Sequence, residues 1–436
     1  GWAPRPSPPR PAEAGGLSAR GSLREHASAS ALVAVGTVTL NLAMVLFHRQ
    51  MSLRLGDAYG DFSALNGLIN IAVVVASGGS IWLTRILAHD AALNGEGAAL
   101  QHLRRLAPRL AMVGVGAALL MALVAAPIIA FLHLAAWQTY AWAAATVLAG
   151  LLSMTARSLL QGVQRFGSYA AGYLIEAAGR ATVPALLVTA FGLAGCMMGT
   201  TVVALMTVLA VLPLLWRHRE AKPHEAPAAG SGGLGRDTAA MALFSLLCFL
   251  DILLFKHAHG GQDEALVALY SRAALVGKSF LYVASAFTLV ALPAFSAAFA
   301  RAENTRRLLW RFLVAMAAVE GLGLLVFWSA SHLLLRILLG DRPELDQVAP
   351  VALALAAAVV PLALFQLVML YCLATHRRGL VPLMAGATVL YAVALRTLPP
   401  SPMVFIGCLG SVATLLLAGA LALALRGPAG GEKGVL

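Results

Sequence analysis

RHREAKPHEAPAAGSGGLGRD, residues 217–237, is the longest polar interruption inside a chain that is otherwise apolar almost throughout. Gly, Pro and charge dominate it, so it reads as a flexible linker. Six apolar stretches lie on each side of it, each able to cross a bilayer at about 20 residues per helix. Before the linker they fall near 27–47, 62–86, 107–132, 134–157, 168–190 and 192–216. After it they fall near 238–257, 265–293, 308–331, 347–373, 379–395 and 402–425. The sequence therefore predicts an all-α integral membrane protein of about 12 transmembrane helices in two six-helix lobes, 27–216 and 238–425. Residues 1–26, rich in Pro, Arg, Gly and Ser, are expected to form a disordered basic cytoplasmic tail, and 426–436 a cytoplasmic tail. The first apolar stretch ends without a small-x-small cleavage pattern, so it is expected to be a retained helix rather than a signal peptide.

Composition agrees. Of 436 residues, 60% are hydrophobic and 11% charged, with a mean hydropathy of +0.82. A soluble chain carries about 25% charged residues, so a disordered protein, a disulfide scaffold and most soluble enzymes are excluded. The net charge of +12 would suggest nucleic acid in a soluble protein. Here it orients the chain, and nucleic acid is not expected as a partner. With the N-terminus in the cytoplasm, 22 of the 31 Lys and Arg fall in the tails and even-numbered loops, which places both termini on the cytoplasmic side. Six spans per half is an even number, so both halves enter the membrane in the same sense, as in a parallel repeat.

A helix surrounded by lipid should be apolar all round, and several spans are not. Polar residues at intervals of 3, 4, 7 or 11 share a helical face. Span 1 carries Thr37, Asn41 and His48, and span 2 carries Ser63, Asn66, Asn70, Ser77 and Thr84. Thr139, Thr146, Ser153 and Arg157 line span 4, and Tyr169, Tyr173, Glu176 and Arg180 line span 5. In span 8 the face is Ser271, Lys278, Tyr282 and Ser285, with Arg272 to one side. Hydroxyls and amides can simply join helices. Ionisable groups are harder to place, because a central Arg, Lys or Asp costs roughly 2.5–3.5 kcal/mol even on mild insertion scales. Glu176 and Arg180 can pair at i,i+4. Arg272 and Lys278 have no acid nearby in sequence, which points to a hydrated cavity or an anionic ligand. Asp251 and Glu320 are the remaining buried acids and the candidates for a coupling cation, Na+ or H+. Tyrosines beside charges suit a sugar-binding wall.

Other chemistry is thinly represented. Cys196, Cys248, Cys372 and Cys408 are widely spaced and read as packing residues. His257-x-His259 is a lone pair in a loop, so no metal is expected, and no nucleotide-binding or hydrolase motif is present. No cofactor is expected.

The run RLGDAYGDFSALNGLINIAVVVASGGSIWLTRILA (54–88) resembles the first helical hairpin of the oligosaccharide flippases of the multidrug/oligosaccharidyl-lipid/polysaccharide (MOP) exporter superfamily. Arg54, Leu55, Gly56, Tyr59, Gly60 and Phe62 match its opening pattern and Arg85 its end. RSLLQGVQRFGSYA (157–170), Asp251, ALYSRAALVGKSF (268–280) and LPAFS (292–296) are similar to later segments of that family. The resemblance implies two lobes facing each other across a central, V-shaped cavity in the bacterial inner membrane. It implies a flippase that moves undecaprenyl-pyrophosphate-linked oligosaccharide across the bilayer for O-antigen, capsule or exopolysaccharide synthesis. The expected partners are that lipid-linked oligosaccharide, bilayer lipid, and the polysaccharide polymerase and glycosyltransferases of the same pathway.

On this reading Arg272, Lys278, Arg180 and Arg157 are the candidates for the pyrophosphate. Asn41, Asn66, Asn70, Tyr173, Glu176 and Tyr282 are the candidates for glycan contact. The alternatives are a cation-coupled multidrug antiporter of the same superfamily and, further off, a membrane-embedded glycan-processing enzyme. The antiporter wants an acidic cavity, which a purely basic span 8 does not favour. The enzyme wants large external loops, which are lacking between spans 3 and 4 and between spans 5 and 6.

Overall fold

The structure is a computed structural model and describes residues 18–217, 234–300, 304–341 and 343–426. Fourteen α-helices are described: α1 Ser18–Leu55, α2 Tyr59–Asn94, α3 Glu96–Leu123, α4 Ala125–Phe131, α5 Trp137–Gly162, α6 Phe166–Val208, α7 Leu212–Arg217, α8 Leu234–His259, α9 Glu264–Gly277, α10 Phe280–Ala300, α11 Thr305–Leu339, α12 Leu345–Ala374, α13 Leu380–Thr397 and α14 Pro402–Leu425. No strand occurs among the described residues. Among the described residues, ten helical stretches are long and apolar enough to cross a membrane. Two of these, 35–88 and 166–216, are more than 50 residues long, and each holds two antiparallel legs. The protein is thus an all-α integral membrane protein of about 12 spans in two six-helix lobes.

The turn inside α6 rests on one glycine. Gly192 has φ 55° and ψ −137°, a conformation closed to most side chains. The chain folds back there. A side chain at Gly195 would strike the Leu187 carbonyl, and one at Gly199 would strike Pro184, so the two legs lie in close contact.

Two features depart from the sequence reading. Helix α1 begins at Ser18, inside the segment expected to be a disordered tail. Residues 18–26 are rich in Ala, Ser, Leu and Arg and continue the helix below the apolar stretch, while 1–17 lie outside the described residues. Span 8 is not one helix. It breaks at Lys278 and Ser279, between α9 and α10, so Lys278 and Tyr282 do not share the continuous face that a regular helix would give them. The linker expected at 217–237 lies outside the described residues except at its ends, where Arg217 closes α7 and Leu234 opens α8. The expected C-terminal tail is described only at Arg426.

Both halves pack on one plan. In the first, α5 touches α2, α3 and α6, and α1 lies along α6. In the second, α12 touches α9, α10, α11 and α14, and α8 lies along α13 and α14. Hydroxyls fasten α5 to α6: Thr146 Oγ1 meets Thr201 Oγ1 at 2.8 Å, and Ser153 Oγ meets Thr207 Oγ1 at 2.5 Å. The polar stripe of span 4 is in this part interhelical fastening. Large apolar side chains such as Leu119, Leu123, Leu322 and Trp328 stay exposed, as a lipid-facing surface requires.

Candidate functional site: the cavity between the lobes

The two ends of the molecule differ. The near end carries the start of α1, the end of α14 and the ends of α7 and α8 that flank the linker. The far end carries the turns after α1, α4, α8, α11 and α13. At the near end Arg165 pairs with Glu96, which lifts the guanidinium above its ordinary pKa through that hydrogen bond.

The lobes meet mainly through α2, which runs antiparallel against α8. Gly67 of α2 faces Phe249 and Gly78 faces Thr238 with no room for a side chain at Gly78. Beyond the end of α8, Gly60 presses on Val267 of α9. The far end is closed by polar contacts between lobes. Lys256, fully buried, lies 2.6 Å from Asp61 of α2 and 2.5 Å from Glu264. His257 stacks on Phe131 and bonds its carbonyl at 2.9 Å. Arg272 donates to the Gly56 carbonyl at 2.8 Å.

On the α1 side the lobes meet where α1 touches α11. A small cavity of about 40 Å³, partly open to the outside, is lined by Asn41, Met44 and His48 of α1, Val276 of α9, Tyr282 of α10 and Leu338 of α11. Arg180 of α6 lies near His48 and Tyr282, two of the lining residues, and near Cys196. The His48 ring bonds Tyr59 Oη at 3.1 Å, which fixes its tilt.

Behind Arg180 stands a compact charged group. Arg180 Nη2 lies 2.8 Å from Glu176 Oε1, and Arg157 binds Glu176 Oε2. The Arg157 guanidinium also sits 4.8 Å from the Tyr173 ring centre, and Tyr173 and Tyr169 share a 2.9 Å hydroxyl contact. Two guanidinium groups share one carboxylate, so the group keeps a net positive charge. Two half-covered cations around a buried acid can satisfy the acid and still offer donors to a second anion.

A two-lobed helical bundle of this plan has known counterparts. No family model matches the chain, and no curated protein does. Among solved structures, an inward-facing multidrug resistance MATE family transporter of the MOP superfamily superposes with a TM-score of 0.67 at 11% identity, over 88% of this chain and 93% of that one. The eukaryotic MATE transporter AtDTX14 gives 0.65 at 13% identity, over 93% and 96%. The lipid II flippase MurJ, in an inward closed conformation, gives 0.62 at 10% identity, over 90% and 87%. The fold is that of the MOP-superfamily transporters.

Within this MOP fold the expected site residues divide. Asn41 and Tyr282 line the cavity, Arg180 lies near Tyr282, and Tyr173, Glu176 and Arg157 stand with Arg180. Asn66 and Asn70 lie half-buried on α2, where the Asn70 amide donates to the Asn66 carbonyl at 2.8 Å, and no described contact joins them to that group.

Arg272 and Lys278, which have no acid nearby in sequence, each meet one in space. Arg272, 2% exposed, pairs with Glu344 at 2.7 Å, and Lys278 pairs with Asp251 at 2.6 Å. Both acids come from other helices, which is why spacing within span 8 did not reveal them. In this conformation the two bases are neutralised within the protein.

Asp251, a candidate for the coupling cation, already has partners on both carboxyl oxygens in this conformation. One carboxyl oxygen takes the Lys278 ammonium and the other takes the Tyr270 hydroxyl at 2.7 Å. Glu320 has no such partner.

The sequence reading missed Lys256, Asp61, Glu264 and Gly60. Asp61 and Gly60 stood in plain view in the 54–62 motif, but only the meeting of the lobes gives them a role.

Proposed function

We propose that the chain is a transporter, not an enzyme, and that it moves an anionic lipid-linked oligosaccharide across the bilayer by alternating access. The observation that carries this reading is the net positive Arg157–Glu176–Arg180 group, whose Arg180 lies near the cavity residues His48 and Tyr282. A glycan pyrophosphate cannot enter hydrocarbon without losing its hydration. Guanidinium donors replace that water for the phosphates, and tyrosine and asparagine side chains replace it for the sugars. The lipid chain stays in the bilayer beside the cavity. With both termini in the cytoplasm, as the loop charges predict, the far end, where Lys256 bridges Asp61 and Glu264, is the outer one. Arg272 and Lys278 join the cavity wall only if rocking of the lobes parts them from Glu344 and Asp251.

The residue chemistry fits an undecaprenyl-pyrophosphate carrier in a bacterial inner membrane. A polymerase and glycosyltransferases would then act on the two sides of the same substrate.

The second reading is a cation-coupled multidrug antiporter, since multidrug transporters share this fold. It asks for a free acid in the cavity, whereas Glu176 is held by two arginines.

Reconstituted vesicles separate the two. Undecaprenyl-pyrophosphate oligosaccharide loaded on one leaflet should become accessible to a glycosidase on the other, and Arg180→Ala should abolish this. Glycan movement unchanged by Arg180→Ala, or movement of an organic cation in its place, refutes the proposal.

A further inference from the structure

Glu320 sits on the buried face of α11, in line with Leu309, Leu313, Met316 and Phe327. It is 1% exposed, and neither carboxyl oxygen has a described hydrogen-bond partner. The helices around it are fixed at several points. Phe295 of α10 meets Phe312, and Phe280 of α10 covers Gly323. Thr305 meets the Tyr371 hydroxyl of α12 at 3.1 Å.

Between those points the neighbours carry little that could answer a charge. Residues 351–363 of α12 contain no titratable group, and 280–295 of α10 contain only Tyr282, which lines the cavity. On α9, Arg272 is paired with Glu344, and Lys278, just past its end, with Asp251. On α1, His48 bonds Tyr59. Among the described residues no hydrogen-bond partner reaches either Glu320 carboxyl oxygen.

A bare carboxylate in such a seam is far costlier than the neutral acid. A hard metal cation wants a cage of several oxygens, and Glu320 has no second described oxygen partner. A proton needs only the carboxyl itself. The other buried acid proposed for ion binding, Asp251, is already filled by the protein's own ammonium.

We infer that Glu320 is a proton-binding site, and that the ion coupled to movement of the lobes is a proton rather than a sodium ion. The inference rests on the transport reading but not on the identity of the substrate.

The link to the cavity is α11 itself. Its backbone leaves the helical region at Ala330, with φ −127° and ψ 25°. On one side of that hinge lies Glu320. On the other, Leu338 lines the cavity, and Gly340 abuts Leu53 of the first lobe. Loss of the proton places a charge in the seam between α10, α11 and α12. The segment free to answer is the outer part of α11, which forms the cavity wall.

The test needs no substrate. The purified full chain is placed in phosphatidylethanolamine/phosphatidylglycerol nanodiscs, and infrared difference spectra are recorded between acid and alkaline buffers. One protonated-carboxyl stretch should disappear on alkalinisation, be absent in E320Q, and be shifted but present in E320D. Potassium in place of sodium should change nothing. Hydrogen exchange is then compared at one alkaline pH. Residues 330–341 should exchange several-fold faster in the wild type than in E320Q, and the two should coincide in acid.

Identical spectra for wild type and E320Q overturn the site. Equal exchange at both pH values overturns the coupling. A band or exchange change driven by sodium at fixed pH overturns the choice of ion. Should E320Q not fold, E320D carries the spectral arm alone. None of these outcomes bears on whether the cargo is a glycan lipid.

Discussion

Lys278 Nζ stands 2.6 Å from Asp251 Oδ1, across the contact between α8 and the break that joins α9 to α10, and both residues are buried. The ammonium also donates to the Cys248 carbonyl at 2.6 Å, and the second Asp251 oxygen accepts from Tyr270. Removing one member of such a pair leaves a stranded charge, which costs about 3–5 kcal/mol. Asp251→Asn or Lys278→Met alone should therefore destabilise the purified protein strongly. The double variant should recover most of the loss, because an apolar or neutral replacement of the whole pair is often nearly free. Denaturant or thermal unfolding in detergent checks this. A loss in the double variant equal to the sum of the two single losses would mean that the pair is not coupled.

How far the sequence could see is clear from this pair. Hydropathy placed all 12 spans, because a bilayer leaves few other arrangements for an apolar chain of this length. The i,i+4 relation of Glu176 and Arg180 was equally local and equally legible. The partners of Lys278, Arg272 and Lys256 were not, because each lies on another element. Glu344, for example, is 72 residues beyond Arg272. Nor could regular periodicity register the break at Lys278, which turns the ammonium to Asp251 and leaves Tyr282 in the cavity.

The three-residue charge group makes an asymmetric prediction. Arg180→Ala leaves Glu176 one arginine, so the protein should fold with a loss of about 1–3 kcal/mol, but the net positive charge near the cavity is gone. Glu176→Gln does the reverse. It keeps both cations, leaves them 19 and 4 residues from a neutral amide, and should destabilise more than Arg180→Ala. Unfolding midpoints, read beside the glycosidase-access assay, should thus rank the two variants in opposite orders for stability and transport.

Gly60 tests the closed far end by volume alone. A Cβ at this position would lie 2.7 Å from Val267 Cγ1 and 3.4 Å from the Ala268 backbone nitrogen, so α9 must move away from α2. Gly60→Ala should raise several-fold the rate at which a polar thiol reagent reaches a cysteine placed at Asn41 from the far side. Val267→Ala in the same chain should restore the slow rate, because it removes the methyl that is struck. A second substitution that leaves the fast rate unchanged would show that the seal lies elsewhere.

Lys256 tests the same seal by charge. Its ammonium is fully buried and reaches Asp61 of the first lobe at 2.6 Å and Glu264 of the second at 2.5 Å. Lys256→Met leaves two carboxylates facing each other where one cation held both, and like charges at this range repel. The closed far end should then be lost, with fast thiol labelling at Asn41→Cys. Asp61→Asn alone should do less, because Lys256 keeps Glu264. Combined with Lys256→Met it should slow the labelling again, because the repulsion across the lobes is gone while the apolar contact of Gly60 with Val267 remains. If Lys256→Met labels as slowly as the wild type, the ion pairs decorate a seal that apolar packing holds by itself.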